Sequence, residues 1–181
     1  AGFNGQRPIL RIGMVNSFAV LAGAYLLKEL ADVAARWSIG SSLQEVSIAG
    51  VADRAVDLAI TTDRPNGQAV CEFPIVSEPY ILAVPGKAPR DWTTIARLRK
   101  QSTFIGYKPD SFIGRDIGSY LQAQNLELPT HHEFDSSASV LSMVRAGVGW
   151  AITTPLSVLS NFSDATDVRY HQIIDPPRPR Q

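Results

Sequence analysis

Val144-Arg145-Ala146-Gly147-Val148-Gly149-Trp150-Ala151-Ile152-Thr153-Thr154-Pro155 reads as the last turn of a helix, a glycine stop and a buried strand that ends at a proline. Gly147 suits the left-handed residue that closes a helix, and Gly149 is expected to let the backbone turn tightly into Trp150. A strand from Trp150 to Thr153 without polar alternation is buried on both faces. Such strands belong in parallel sheets, where ligands gather at the C-terminal strand ends. Thr153 and Thr154 place hydroxyl groups at that end.

Working outward, the spacing predicts a helix over 136–146, short strands over 132–134 and 103–107, and a helix opened by Pro109-Asp110-Ser111. That helix carries Ile113, Ile117, Tyr120, Leu121 and Gln124 along one side, and Asp91 is expected to cap another through Leu98. Pro85-Gly86-Lys87-Ala88-Pro89 marks a boundary, preceded by extended runs over 70–76 and 80–84 that Ser77-Glu78-Pro79 separates. In the N-terminal half, a β-rich run over 9–15 leads to Asn16-Ser17, which can cap a helix. The apolar positions Ala19, Ala22, Leu26, Leu30, Val33 and Trp37 predict that this helix is amphipathic and runs from Ser17 to Trp37, with Lys28, Asp32 and Arg36 as its charged stripe. A short run over 37–42, a weaker helical segment over 44–53 and a strand over 56–61 complete the order βαβαβ, which a parallel sheet requires. The C-terminal half repeats that logic. A last strand over 168–174 is expected to return to the first lobe, and the proline-rich end does not continue it. The chain therefore reads as α/β with two lobes, 8–84 plus 165–181 and 85–164.

Composition excludes several classes. The 181 residues are 45% hydrophobic and 19% charged, enough to fill two cores of roughly 80 residues each. Lys+Arg and Asp+Glu are both 17, so no basic excess is available to grip nucleic-acid phosphates directly. One cysteine, Cys71, makes no internal disulfide and reads as a buried residue; a reducing, cytoplasmic compartment fits. No apolar run reaches the ~20 residues of a membrane span, so no membrane partner is expected. The adjacent His131 and His132 point to opposite faces of a strand and make poor joint metal ligands. No nucleophile elbow, Walker loop or dinucleotide fingerprint is present, so neither enzyme activity nor a cofactor is expected.

Four segments, Leu10-Arg11-Ile12-Gly13, Val56-Asp57-Leu58-Ala59-Ile60-Thr61, Glu78-Pro79-Tyr80-Ile81-Leu82-Ala83-Val84-Pro85 and the stretch over 144–155, occur in the order and with the spacing of one family. Over about Pro8 to Ile174 the chain resembles the effector-binding domain of LysR-type transcriptional regulators. The resemblance implies the type 2 periplasmic-binding-protein fold: two Rossmann-like lobes, two crossover strands and a cleft between lobes for a small molecule. It also implies a DNA-binding helix-turn-helix domain upstream, outside this chain, and a further strand and helix downstream. Family members often have glycine where this chain has Arg54, leucine where it has Thr154, and a histidine-containing turn where it has Gly86-Lys87-Ala88-Pro89.

Candidate effector contacts follow from strand ends and helix starts: Asn16, Ser17, Phe18, Ser41, Ser42, Thr61 and Thr62 in the first lobe, and Tyr107, Ser111, Phe112, Ser136, Thr153 and Thr154 in the second. Plainer readings stand beside these. Ser17, Ser111 and Ser136 can be helix caps only, Thr61 and Thr153 ordinary β-branched strand residues, and Phe18, Tyr107 and Phe112 core aromatics. Arg64, Lys108 and Arg115 can pair with an acidic effector, beside the plainer reading of solvated surface cations. The expected ligand is a small polar or anionic metabolite. The resemblance further implies a homodimer in which the helix over 18–37 packs on the partner's helix over 136–146, with a tetramer open to the full-length protein. A transport-type solute-binding protein and a dehydratase-like or deaminase-like enzyme on the same fold are the competing readings. A cleft rich in Ser, Thr and aromatics rather than ionisable groups argues against the enzyme.

Overall fold

The computed structural model of the protein describes residues 8–42, 45–62, 70–161 and 167–173. Its chain contacts divide it into two compact units between Phe73 and Pro74. In the first unit, β1 (Ile9–Met14) lies between β2 (Arg36–Gly40) and β3 (Leu58–Ile60), parallel to both. Helices α1 (Asn16–Glu29) and α2 (Ile48–Ala52) connect them, so the predicted βαβαβ order holds. The register Ile12↔Leu58 is fixed just upstream by Asp57, whose carboxylate accepts from the Arg11 backbone N–H at 2.8 Å and from Arg11 Nη2 at 2.8 Å. In return, the Asp57 N–H donates to the Arg11 carbonyl at 2.8 Å.

In the second unit, β6 (Thr130–Phe134), β5 (Thr103–Tyr107) and β7 (Gly149–Thr153) run parallel, while β4 (Ile81–Pro85) joins β7 antiparallel and β8 (Val168–Gln172) joins β4 antiparallel. Helices α3 (Ile95–Gln101), α4 (Phe112–Ala123), α5 (Ser137–Arg145) and α6 (Pro155–Leu159) complete it. All five residues of β7 are buried, as its unbroken apolar pattern predicts, but its two neighbours run in opposite directions. The core gathers Leu82, Val84, Leu98, Ile105, Val140, Val144 and Ile152, and Trp150 stacks obliquely on Phe104 with ring centroids 4.9 Å apart. The lobe boundaries predicted from the sequence place β4 and β8 in the first lobe; their backbone hydrogen bonds run within the second unit's sheet.

The termination of α5 is chemically explicit. Gly147 has φ +80°, its N–H donates to the Val144 carbonyl at 2.9 Å, and the Val148 N–H donates to the Met143 carbonyl at 3.1 Å. This is the paired 5→2 and 6→1 closure of a Schellman motif, and it fulfils the expectation for Gly147. Gly149 differs from expectation. Its conformation is not left-handed; it is small because a Cβ there would meet the Thr103 carbonyl oxygen at 2.2 Å, across the β5–β7 ladder.

Several boundaries also differ. The first helix ends at Glu29 rather than Trp37, because the Ala35 N–H is taken by the Pro8 carbonyl at 2.9 Å and Trp37 enters the ladder opposite Leu10. Strand pairing here wins over an apolar spacing that fits a helix. Neither Asn16 nor Ser17 caps α1: the helix starts at Asn16, with Val15 at the cap position and no side-chain bond. The helix expected from Asp91 begins only at Ile95, and the Asp91 carboxylate pairs instead with Arg97. Residues 70–77, expected as an extended run to 76, belong to no ladder, and Cys71 is exposed rather than buried. Helix α6 is not anticipated; its signal is Thr154 followed by Pro155, a capping hydroxyl before proline at the first helical position. Gln44, Arg64, Ile174 and the proline-rich end lie outside the described residues.

Two outcomes follow from the first unit. The Arg11 guanidinium bonds to the Asp57 carboxyl and holds its pKa below the ordinary carboxylate range. Its stabilising effect is complete above the unfolded value of about 3.9 and disappears as pH falls through the lower folded value. Asp57→Asn is therefore expected to lower the urea midpoint at neutral pH, with the gap to the parent chain closing below about pH 4. Arg54 occupies the left-handed position after α2 with φ 59°, closing it through Ala55 N to Gly50 O at 2.9 Å. Because a side chain is strained there by roughly 1 kcal/mol, Arg54→Gly should raise the urea midpoint with no change in slope, whereas Arg54→Ala should not.

Candidate functional site

The C-terminal ends of the parallel strands gather the predicted residues at one edge of each sheet. In the first unit, the Val15 N–H donates to the Ile60 carbonyl at 3.0 Å, tying the end of β1 to the end of β3. Asn16, Ser17 and Phe18 follow immediately as the first turn of the 14-residue α1, and no side chain caps their N–H groups. Ser17 and Phe18 are half-buried and Asn16 is exposed. Ser41 and Ser42 leave β2 exposed, and Thr61 and Thr62 leave β3 half-buried.

Ser42 has a partner that sequence reasoning missed. Its N–H and hydroxyl donate to Glu45 Oε2 at 3.0 and 2.6 Å, and the Glu45 N–H donates back to the Ser42 hydroxyl at 3.3 Å. This is the reciprocal bonding of a capping box, legible as Ser42 followed three residues later by Glu45. These bonds hold the Glu45 carboxyl below its usual pKa. The carboxylate fills the space that the absent side chain of Gly40 leaves, 1.8 Å from an ideal Cβ there.

In the second unit, β5 and β7 are offset so that Thr103 faces Gly149 and Phe104 faces Trp150. Three further steps bring Tyr107 beside Thr153, and their hydroxyls are 3.0 Å apart with both residues buried. Three helices start at this edge. Ser111 caps α4, accepting from Gly114 N at 3.0 Å and donating to the Lys108 carbonyl at 2.8 Å. Phe112 lies under the Arg115 guanidinium, 4.8 Å from the ring centre. Ser136 precedes α5 without a side-chain capping bond. Lys108 and Asp135, at the ends of β5 and β6, are both exposed with Nζ 3.6 Å from Oδ2.

Thr154 is fully buried, and its hydroxyl donates to Ser157 Oγ at 3.0 Å while accepting from Ser157 N at 3.3 Å. The leucine-to-threonine departure therefore supplies a helix cap. A second missed residue sits alongside. Glu78, 8% exposed, accepts from the Leu156 N–H through Oε2 at 2.8 Å, a carboxylate placed at the start of α6. Nothing in its local sequence, a Ser-Glu-Pro turn signal, points to that role; the contact spans 78 residues.

The structure thus brings Tyr107 and Thr153 into direct contact, places Ser111, Phe112, Ser136 and Thr154 on the same strand-end edge, and sets Asn16, Ser17, Phe18, Ser41, Ser42, Thr61 and Thr62 on the corresponding edge of the first unit's sheet. Among the described residues no three His, Cys, Asp or Glu side chains gather as metal ligands, and no helix is long and apolar enough to cross a membrane.

Comparisons with known proteins bear on this architecture. The effector-binding domain of QuiR in complex with shikimate matches with a TM-score of 0.76 at 15% identity, over 97% of this chain and 85% of that one. The CcmR regulatory domain of Synechocystis PCC6803 in complex with 2-PG matches at 0.77 and 13%, over 96% and 85%. Full-length BenM matches at 0.76 and 14%, over 97% of this chain but 60% of that one. No curated protein matches in sequence. At these identities the structures establish a shared fold of the type 2 periplasmic-binding kind. The family model described as LysR substrate binding domain matches residues 3–181, which also decides against the transport-type alternative. The chain belongs to the LysR substrate-binding domain family and is the effector-sensing part of such a regulator.

Proposed function

We propose that the strand-end hydroxyls and helix starts described above hold a small anionic metabolite, and that its occupancy controls DNA binding by a helix-turn-helix domain of the full-length protein in the cytoplasm. The observation that carries this reading is the charge at the helix starts. None of the described helices has an acidic residue in its first turn, and at α6 Glu78 supplies a carboxylate from elsewhere. At the longer helices α1, α4 and α5, free N–H groups and the positive end of the helix dipole favour an anion by about 0.3–1 kcal/mol each. Lys108 and Arg115 add positive charge on the second unit's edge. Shikimate, the ligand in the QuiR structure, is a carboxylic acid that also offers hydroxyls.

Asn16, Ser17 and Phe18 are the contacts with free backbone donors, and Tyr107 and Thr153 form the hydroxyl pair. Ser41, Thr61, Thr62, Ser111, Phe112 and Ser136 line the edges. Ser42 and Thr154 serve by shaping, since Glu45 and Ser157 engage their hydroxyls. With hydroxyls and backbone amides as its working groups, the site fits a binding module rather than an enzyme. A differential affinity of a few kcal/mol between two arrangements suffices for switching.

The second reading concerns assembly. Helix α1 is apolar on most of its surface, yet Gly23 is its one buried residue, while Val20 and Tyr25 are 58% and 74% exposed. A helix apolar all round is ordinarily covered. We propose a second copy of the chain as the cover, with α1 packing on the partner's α5.

Two measurements test these readings. In calorimetric titrations with shikimate, 2-PG and a panel of carboxylic and phosphorylated acids, the tightest binder is expected to lose about tenfold in affinity in Ser17→Ala and Thr153→Val, the cost of one or two hydrogen bonds. Unchanged affinity in both variants would remove these residues from the site. In sedimentation, Tyr25→Asp is expected to shift the chain from dimer to monomer at micromolar concentration, and an unaltered profile counts against α1 as the interface.

A further inference from the structure

The ladder between β4 and β7 pairs Ile81 with Thr153, Leu82 with Ile152 and Ala83 with Ala151. Carried outward, the same register sets Tyr80 against Thr154, Pro79 against Pro155 and Glu78 against Leu156. Neither proline has an N–H to donate, so the backbone ladder cannot continue through that pair. The Glu78 side chain resumes it: Oε2 accepts from the Leu156 N–H at 2.8 Å, in the position the register predicts. Two residues later Tyr80, 1% exposed, donates its hydroxyl to Asp116 Oδ2 at 3.2 Å on α4. The segment that carries the chain into the second unit therefore grips two helices at once. These are the helices that follow the candidate binding edge, α4 after Tyr107 and Ser111, and α6 after Thr153 and Thr154.

Buried polar contacts run side by side here. Tyr107 meets Thr153, Thr154 meets Ser157, and Leu156 meets Glu78, with Thr153, Thr154, Ser157 and Glu78 all buried. Such networks act as units, because a half-satisfied member costs more than its own bond. Upstream of Glu78, which also makes a backbone bridge, residues 70–77 have no ladder of their own.

We infer that Glu78, with Tyr80, is the positioning element through which occupancy at the Tyr107–Thr153 pair reaches the connecting segment over 70–77. A ligand that displaces the Tyr107–Thr153 hydroxyl bond shifts the first turn of α6, and Glu78 carries that shift into the segment that precedes it. The inference rests on the effector reading of that edge, but its test needs no effector, so the two fail separately.

The test is a double-mutant cycle on the ligand-free chain, reading the unfolding constant of Glu78→Gln, Thr153→Val and the double variant in urea. Non-additivity of at least about threefold is expected, with additivity between Glu78→Gln and Asp57→Asn of the first unit as the reference. Additivity between Glu78 and Thr153 overturns the inference. Hydrogen exchange covers the case in which Glu78→Gln does not fold. Thr153→Val and Tyr107→Phe are each expected to speed exchange of the Leu156 and Val158 amides, the first of which Glu78 holds, by several-fold, and unchanged rates there in both variants are equally fatal.

Discussion

The pairing of β7 with two neighbours of opposite direction sets the second unit. On one side it runs parallel to β5, which places Tyr107 beside Thr153; on the other it runs antiparallel to β4, which brings Glu78 to the start of α6. Both contacts are read off the same strand by register alone. A slip of one residue would turn every β7 side chain to the opposite face and dissolve both at once. The absence of a side chain at Gly149 protects that register, since the Thr103 carbonyl sits where a Cβ would be.

How much of this was legible differs element by element, for physical reasons. Strand β5 and helix α5 are clear in the sequence because an apolar run is punctuated by strong stops, Ser102 and Lys108 around the one, Ser136 and Gly147 around the other. The true end of α1 is not legible, because Leu30, Val33 and Trp37 satisfy a helical period while a partner strand elsewhere in the chain claims Trp37. Long-range pairing overrides local spacing there. The candidate site shows the same division. Hydroxyls at strand ends are visible from periodicity, whereas Glu78 is not, since its role depends on a contact 78 positions away. Glu45 lies between these cases: Ser42-Leu43-Gln44-Glu45 is a readable local signature, but its meaning for Ser42 appears only once the bonds are seen.

The family membership narrows chemistry without naming the ligand. Structures of the same fold share as little as 12% of positions with this chain, and the amides at its helix starts are backbone groups that depend on no particular side chain. On the function proposed above, such a frame favours an anion through its backbone amides and leaves the hydroxyls interchangeable.

Cys71, the sole cysteine of this chain, stands exposed within the unladdered stretch that precedes Glu78. A thiol-specific fluorophore therefore attaches at one defined place per molecule without engineering. That place lies inside the stretch that leads into Glu78, so this chain already carries an optical reporter handle there.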